Sequence, residues 1–191
     1  MTKSIVISGP PAVGKTTIAK GIAAEFNLKF LAGGDLLKEM ANELGFDTKG
    51  DDWWDTEEGM SFLSERKKNP EFDKNLDEKL REIFLKDNVV ITSYTIPWIV
   101  DYGIKIWLDG SLENSAKRMR TRDNVSVEES SQIAKKRYDE NKIIYKTLYG
   151  FEFGEDLSVF DKTIETDNLD AGQVLEIAKS TVRELFEIKT T

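Results

Sequence analysis

Gly9-Pro10-Pro11-Ala12-Val13-Gly14-Lys15-Thr16 satisfies the pattern G-x-x-x-x-G-K-[ST] at every fixed position. This segment restricts the fold more tightly than any other in the chain. It works only as a loop between a buried strand and a helix. Its amides must converge on phosphate oxygens while the helix turns its positive end toward them. Both flanks comply. Residues 4–8 (SIVIS) are a β-branched run that predicts a buried strand. Residues 16–26 place Ile18, Ile22, Ala23 and Phe26 at helical spacing. Gly14 lets the backbone approach phosphate, and Pro10 and Pro11 stiffen the loop. Lys15 has the reach for β- and γ-phosphates, and Thr16 offers magnesium a hydroxyl. Residues Gly9 to Thr16, with Thr17 beside them, form the expected ATP-binding set.

Further strands are predicted over residues 28–31, 88–93, 104–108 and 163–165. Helices are predicted over 35–44, 57–67, 71–86, from Ser111 onward, 126–148 and 171–186. Gly33-Gly34 reads as a turn, with Asp35 capping the helix behind it. Ser126 and Glu129 make a capping box. Residues 45–59 read as an acidic loop holding Trp53 and Trp54, and Pro97 to Val100 is too short to assign. Strands alternating with helices predict an α/β protein: a three-layer α/β/α domain with a parallel five-stranded sheet. Ligands are then expected beyond the carboxyl ends of the strands. The 191 residues suit one domain.

Composition narrows the chemistry. The chain has no cysteine and no histidine, which removes disulfides, thiolate chemistry and imidazole-based triads. What remains suits phosphoryl transfer, which needs positioning and charge neutralisation more than a strong base. A formal net charge of -8 argues against a broad nucleic-acid-binding surface. There is no apolar run of membrane-spanning length and no pattern of a secretory leader. The expectation is a cytoplasmic protein, a monomer or weak dimer, whose partner is a small substrate. Against that acidic background, Arg118, Arg120, Arg122 and Arg137 form a basic cluster placed to neutralise a transferring phosphoryl group.

No N-K-x-D element for guanine recognition is present, and the chain is short for a motor or transporter ATPase. Five segments, in order, resemble the cytidylate kinase family, in particular its small archaeal branch among the nucleoside monophosphate kinases. They are SIVISGPPAVGKTT, AGGDLLKEM, NPEFDKNLDEKLREI, IKIWLDGSLENSAKRMRTRDN and YGFEFGEDLSVFDKTIETDN. The resemblance spans most of the chain. It implies a core sheet, an acceptor-binding helical insert over residues 33–86 and a short lid over 120–148. It also implies Mg-ATP as donor and a nucleoside monophosphate, CMP or dCMP foremost, as acceptor. Asp35 and Lys38 then stand beside the acceptor, with Lys38 where such kinases carry an arginine. Arg118 and Arg122 match lid arginines. Lys15, Arg118, Arg122 and Asp35 are the implied catalytic group, and Thr16 is the implied metal ligand.

Asp73, Asp77 and Arg81 recur every four residues and are expected on one face, lining a base or ribose pocket, with Ser93 and Arg137 completing the substrate side. Trp53 and Trp54 either stack on a base or anchor their loop. Three positions depart from the family pattern. The third strand ends Thr92-Ser93-Tyr94, with no Gly-Arg, and Ser115 and Ile144 stand where arginines are usual. Two other readings stay open: a kinase of another small acceptor, and a nucleotide-binding regulatory or assembly protein with slow ATPase activity.

Overall fold

The computed structural model describes residues 3–50, 53–86, 88–123 and 126–188, with the side chains of residues 55, 120–123, 127 and 188 outside that description. Five strands, β1 (Ile5–Ser8), β2 (Lys29–Ala32), β3 (Val89–Thr92), β4 (Ile104–Asp109) and β5 (Lys162–Glu165), form one sheet in the order β2-β3-β1-β4-β5. Every pairing is parallel. The helices are α1 (Lys15–Phe26), α2 (Gly33–Glu43), α3 (Glu57–Lys68), α4 (Glu71–Leu85), α5 (Ile96–Ile99), α6 (Leu112–Asp123), α7 (Val127–Tyr149) and α8 (Ala171–Ile188).

The three inner strands are buried on both sides, as in a sheet covered on both faces. Side chains alternate across the sheet. Ile5, Ile7, Val90, Ile104 and Ile106 join α1 and α8 in one core. Val6, Val89 and Ile91 join α2, α3 and α4 in another, through Leu37, Phe62, Leu80 and Phe84. A third cluster is aromatic. Trp107, Tyr145 and Phe153 sit at its centre, and Trp98 stacks on Phe151 with centroids 4.6 Å apart. It fastens the C-terminal half of α7 to the sheet.

The chain leaves β1 for β2 on one side, then returns to place β3 between them and continues to β4 on the other. The crevice at the carboxyl end of β1 is therefore the switch point where such sheets bind ligands. The glycine loop occupies it.

Two local expectations need correction, and one unassigned segment takes a form. The helix expected from Asp35 begins at Gly33, with Ala32 as its cap residue and no side-chain cap, so Asp35 lies inside its first turn. A Cβ on Gly33 would sit 2.7 Å from the carbonyl oxygen of Thr92. Glycine here lets the helix start against the end of β3. The segment at Pro97 is a single helical turn. Residues 45–59 are not all loop: residues 53–55 form a 3-10 turn that buries Trp53 to 1% exposure. The caps are as expected, with Asn114 and Glu129 donating backbone N–H bonds to the hydroxyls of Ser111 and Ser126.

Candidate active site

The loop between β1 and α1 has the backbone its function needs. Gly9 adopts φ 146°, Ala12 φ 58° and Gly14 φ 103°. A side chain at position 9 would meet the Leu108 carbonyl oxygen at 2.4 Å, so the loop can lie against β4 only as glycine. No side chain caps α1, which leaves its first amides facing the crevice. Lys15 Nζ donates to the carbonyls of Gly9 (3.0 Å) and Pro10 (2.5 Å) and lies 4.7 Å from the centre of the Tyr94 ring. Burial, and then the charge of Arg137, press its pKa well below the usual lysine range.

A cavity of about 650 Å³ opens from this loop. Ala12, Gly14, Lys15, Thr16 and Thr17 form one wall, and Gly34, Asp35 and Lys38 of α2 a second. Ser93, Tyr94 and Thr95 come from the end of β3, Arg118 from α6, and Arg137, Asn141 and Tyr145 from α7. Leu37, Leu63, Leu76, Leu80 and Trp54 add apolar lining, and Arg66 and Asp77 are further charged groups on it.

Arg66 is 4% exposed and holds Asp73 through two hydrogen bonds, Nε to Oδ2 at 3.2 Å and a shorter one from Nη2 to Oδ1. Nη2 also reaches the Tyr145 hydroxyl at 3.5 Å, and that hydroxyl donates to Asn141 Oδ1. Burial alone would lower the Arg66 pKa, but the Asp73 carboxylate more than offsets it and raises it further. Asp77 accepts from Thr95 Oγ1 on one oxygen and from the Tyr149 hydroxyl, at 2.7 Å, on the other. Burial pushes its pKa up to about 6, against the pull of those two hydrogen bonds.

A carboxyl raised in the fold is most favourable below its unfolded pKa, and its contribution is lost as pH rises through the folded value. Ionising Asp77 therefore costs the native state about 3 kcal/mol between roughly pH 4 and pH 6. Urea midpoints measured across that window should fall less steeply with rising pH in Asp77→Asn than in the native chain.

The cavity gathers many of the residues singled out from sequence and leaves others outside. Asp73 lies behind its wall, paired with Arg66. Arg81 points to solvent and pairs with Glu78. It does not share a face with Asp73, because eight residues turn a helix about 80° past a full repeat. Gly9, Pro10, Pro11 and Val13 shape the loop without lining the cavity. The Arg122 side chain lies outside the described residues. Lys38 Nζ donates to the Gly50 carbonyl. Ser115 and Ile144 are buried and face the core rather than the cavity, so only Tyr94, of the three departures, changes the wall itself. Trp53 anchors its loop and packs edge-on against Trp54, 4.6 Å away.

Sequence reasoning missed Arg66, Thr95, Asn141 and Tyr145. Arg66 begins a basic run, yet it falls three and four residues after Leu63 and Phe62, on their buried face. Among the described residues, no group of three acidic side chains stands ready to hold a metal. Thr16 is exposed at the cavity mouth, with Asp35 on the neighbouring wall. That suits a magnesium ion held chiefly by phosphates and water. No helix among the described residues is long and apolar enough to cross a membrane.

A glycine loop at the switch point of a parallel sheet, opening into a cavity edged by lysine and arginine, defines a kinase of the P-loop class. Within that class the chain belongs to the cytidylate kinase-like family, whose model matches residues 4–168. It is 32% identical to a cytidylate kinase of Ignicoccus hospitalis, covering 92% of this chain and 96% of the relative. It is 34% identical to one of Pyrobaculum islandicum, covering 91% and 89%. Among solved structures, an uncharacterized protein from Eubacterium ventriosum aligns with a TM-score of 0.62 at 18% identity, over 96% of this chain and 99% of that one. Shikimate kinase from Bacteroides thetaiotaomicron aligns over the whole of both chains with a TM-score of 0.58 at 18% identity.

Proposed function

We propose that this protein transfers the γ-phosphate of Mg-ATP to a nucleoside monophosphate, with CMP or dCMP the favoured acceptor. One observation carries the reading: a single cavity is lined together by the glycine loop with Lys15, by Arg118 and Arg137, and by the apolar side chains of Leu37, Leu63, Leu76 and Leu80. Family membership and relatives named cytidylate kinase support the same acceptor.

In this reading the loop amides and the start of α1 hold the β- and γ-phosphates. Lys15 leaves the carbonyls of Gly9 and Pro10 to neutralise them. Arg118, whose Nη2 is steadied by the Thr166 carbonyl at 3.3 Å, acts with Arg137 on the group in transit. Arg122 joins them from the end of α6. Thr16, with Asp35 nearby, would hold a magnesium ion, which would supply further charge neutralisation. The acceptor phosphate is already anionic near neutral pH, so no general base is required. Lys38 and Ser93 face that phosphate. The protein would work in the cytoplasm as a monomer or weak dimer.

The test is ADP release from Mg-ATP with CMP, dCMP, UMP, AMP and GMP added in turn. Turnover is expected to be largest with CMP or dCMP. A rate with all five that equals the background of ATP alone would overturn the reading.

A further inference from the structure

Beyond the end of β3 the Ser93 amide still donates to the Ile7 carbonyl at 3.3 Å, so the chain leaves the sheet beside β1, close to where the glycine loop begins. Ser93 Oγ then accepts from the amides of Thr95 (3.1 Å) and Ile96 (3.2 Å). That turn fixes the backbone on both sides of Tyr94. The Tyr94 ring meets Phe153 edge-on, with centroids 5.1 Å apart, and stands 6.2 Å from the ring of Tyr145. Phe153 is fully buried. Tyr94 is therefore held on one side by the aromatic cluster, and it also lines the cavity.

Lys15 needs such a neighbour. Its ammonium has three protons to place. Two contacts are the carbonyls of Gly9 and Pro10, and another is the Tyr94 ring, whose centre lies 4.7 Å from Nζ. All of these are electrically neutral. Burial and then the charge of Arg137 favour the uncharged amine. The face of an aromatic ring does the opposite, because its quadrupole attracts a cation, most strongly where water is excluded. A leucine there would offer contact without that field. On the reading of the loop as the phosphate site, we propose that Tyr94 is a positioning residue for Lys15: its ring keeps the ammonium charged and set against the loop carbonyls until phosphate oxygens draw it away. A carboxylate in that place would bind the lysine more firmly and would repel the incoming phosphates.

The charged and titratable groups sharing the cavity with Lys15 are Lys20 on α1, Asp35 and Lys38 on α2, Arg66 on α3, Asp77 on α4, Arg118 on α6, and Arg137 and Tyr145 on α7. Asp77 titrates at about 6, and burial holds the Tyr145 hydroxyl protonated well above the usual tyrosine range. Neither confuses a titration on the alkaline side of neutrality.

The experiment titrates Lys15 in the full chain without nucleotide, by NMR of lysine isotopically enriched at Cε, from about pH 6 to about pH 11. The resonance missing from Lys15→Ala identifies it. The native chain is compared with Tyr94→Phe, Tyr94→Leu and a chain carrying pentafluorophenylalanine at position 94. Tyr94→Phe keeps the ring face and removes the hydroxyl, so the midpoint should stay within about 0.3 of a pH unit of native. Tyr94→Leu should lower it by about one unit, since losing a neighbour that favours the cation lowers a lysine pKa. Fluorination reverses the ring's quadrupole at nearly constant size and should lower it at least as far. The fluorinated chain carries the test if Tyr94→Leu does not fold. The alkaline limb of kcat/KM for Mg-ATP, which reports the free enzyme, should move to lower pH by the same interval. A role in packing alone would change the melting temperature of Tyr94→Leu and leave the midpoint in place. A midpoint unmoved in both the leucine and the fluorinated chains, or one that falls while the alkaline limb stays put, overturns the inference and leaves the kinase assignment intact. Absence of turnover with every nucleoside monophosphate removes the kinase assignment, while the midpoint, read without nucleotide, still decides what Tyr94 does.

Discussion

Lys15→Ala is expected to lower acceptor-dependent kcat by roughly 10³-fold while shifting the melting temperature by no more than about 2 °C. The side chain's hydrogen bonds are to the carbonyls of Gly9 and Pro10, on the loop it serves, and its ring contact is with Tyr94 at the cavity wall. It holds no distant elements together, so removal leaves the core unaltered. What is lost is a charge at the point where negative charge gathers during transfer, in a site that limits water. The loop amides remain, so ATP affinity should weaken far less than turnover. ADP release and thermal melting on the same preparation make the comparison. A rate within a few-fold of native would sink the assignment of phosphate handling to this loop.

Arg66→Met is expected to destabilise the fold by about 3–5 kcal/mol and to lower the melting temperature by roughly 10 °C. The side chains of Arg66 and Asp73 are 4% and 2% exposed. Removing the guanidinium strands a buried carboxylate and frees the Tyr145 hydroxyl from one of its contacts. Adding Asp73→Leu removes the stranded charge and should recover about half of the loss or more. Because Arg66 also lines the cavity, the double variant separates two roles. Recovered stability with a raised acceptor KM would mean that the guanidinium touches substrate. Recovered stability with native kinetics would confine it to holding α3 against α4 and α7. A single variant that melts with the native chain would show that Asp73 does not depend on its partner.

Much of the architecture was legible because local and global signals agree. Residues 4–8 are β-branched, the glycine loop follows, and Ile18, Ile22 and Ala23 set the helix behind it. Ser111 and Ser126 announce their helices through hydroxyls that need only local geometry. Legibility fails where a distant element decides. Gly33-Gly34 resembles a turn in one dimension, and only the carbonyl of Thr92 explains why a helix starts there. Arg81 follows the four-residue spacing of Asp73 and Asp77, yet the helix has rotated it into solvent. Arg66 sits in a run of charges, and its burial depends on Asp73 and Tyr145, 7 and 79 residues away. Tyr149 and Asp77 meet across 72 residues, a pairing no window of sequence contains.

The aromatic cluster under α7 has a mechanical side. Tyr138, Tyr145 and Leu148 are bound into it, and Lys67 pairs with Glu140 at 2.6 Å, so the C-terminal half of the helix is clamped. The helix is then a lever with its fulcrum near Asn141. Its start at Val127 lies about 20 Å away, and Arg137 only about 6 Å. A tilt of about 10° would carry the far end more than 3 Å and Arg137 about 1 Å. Arg137 is thereby a nearly stationary cation. A stroke about that fulcrum would move the distal arm and leave Arg137 nearly in place.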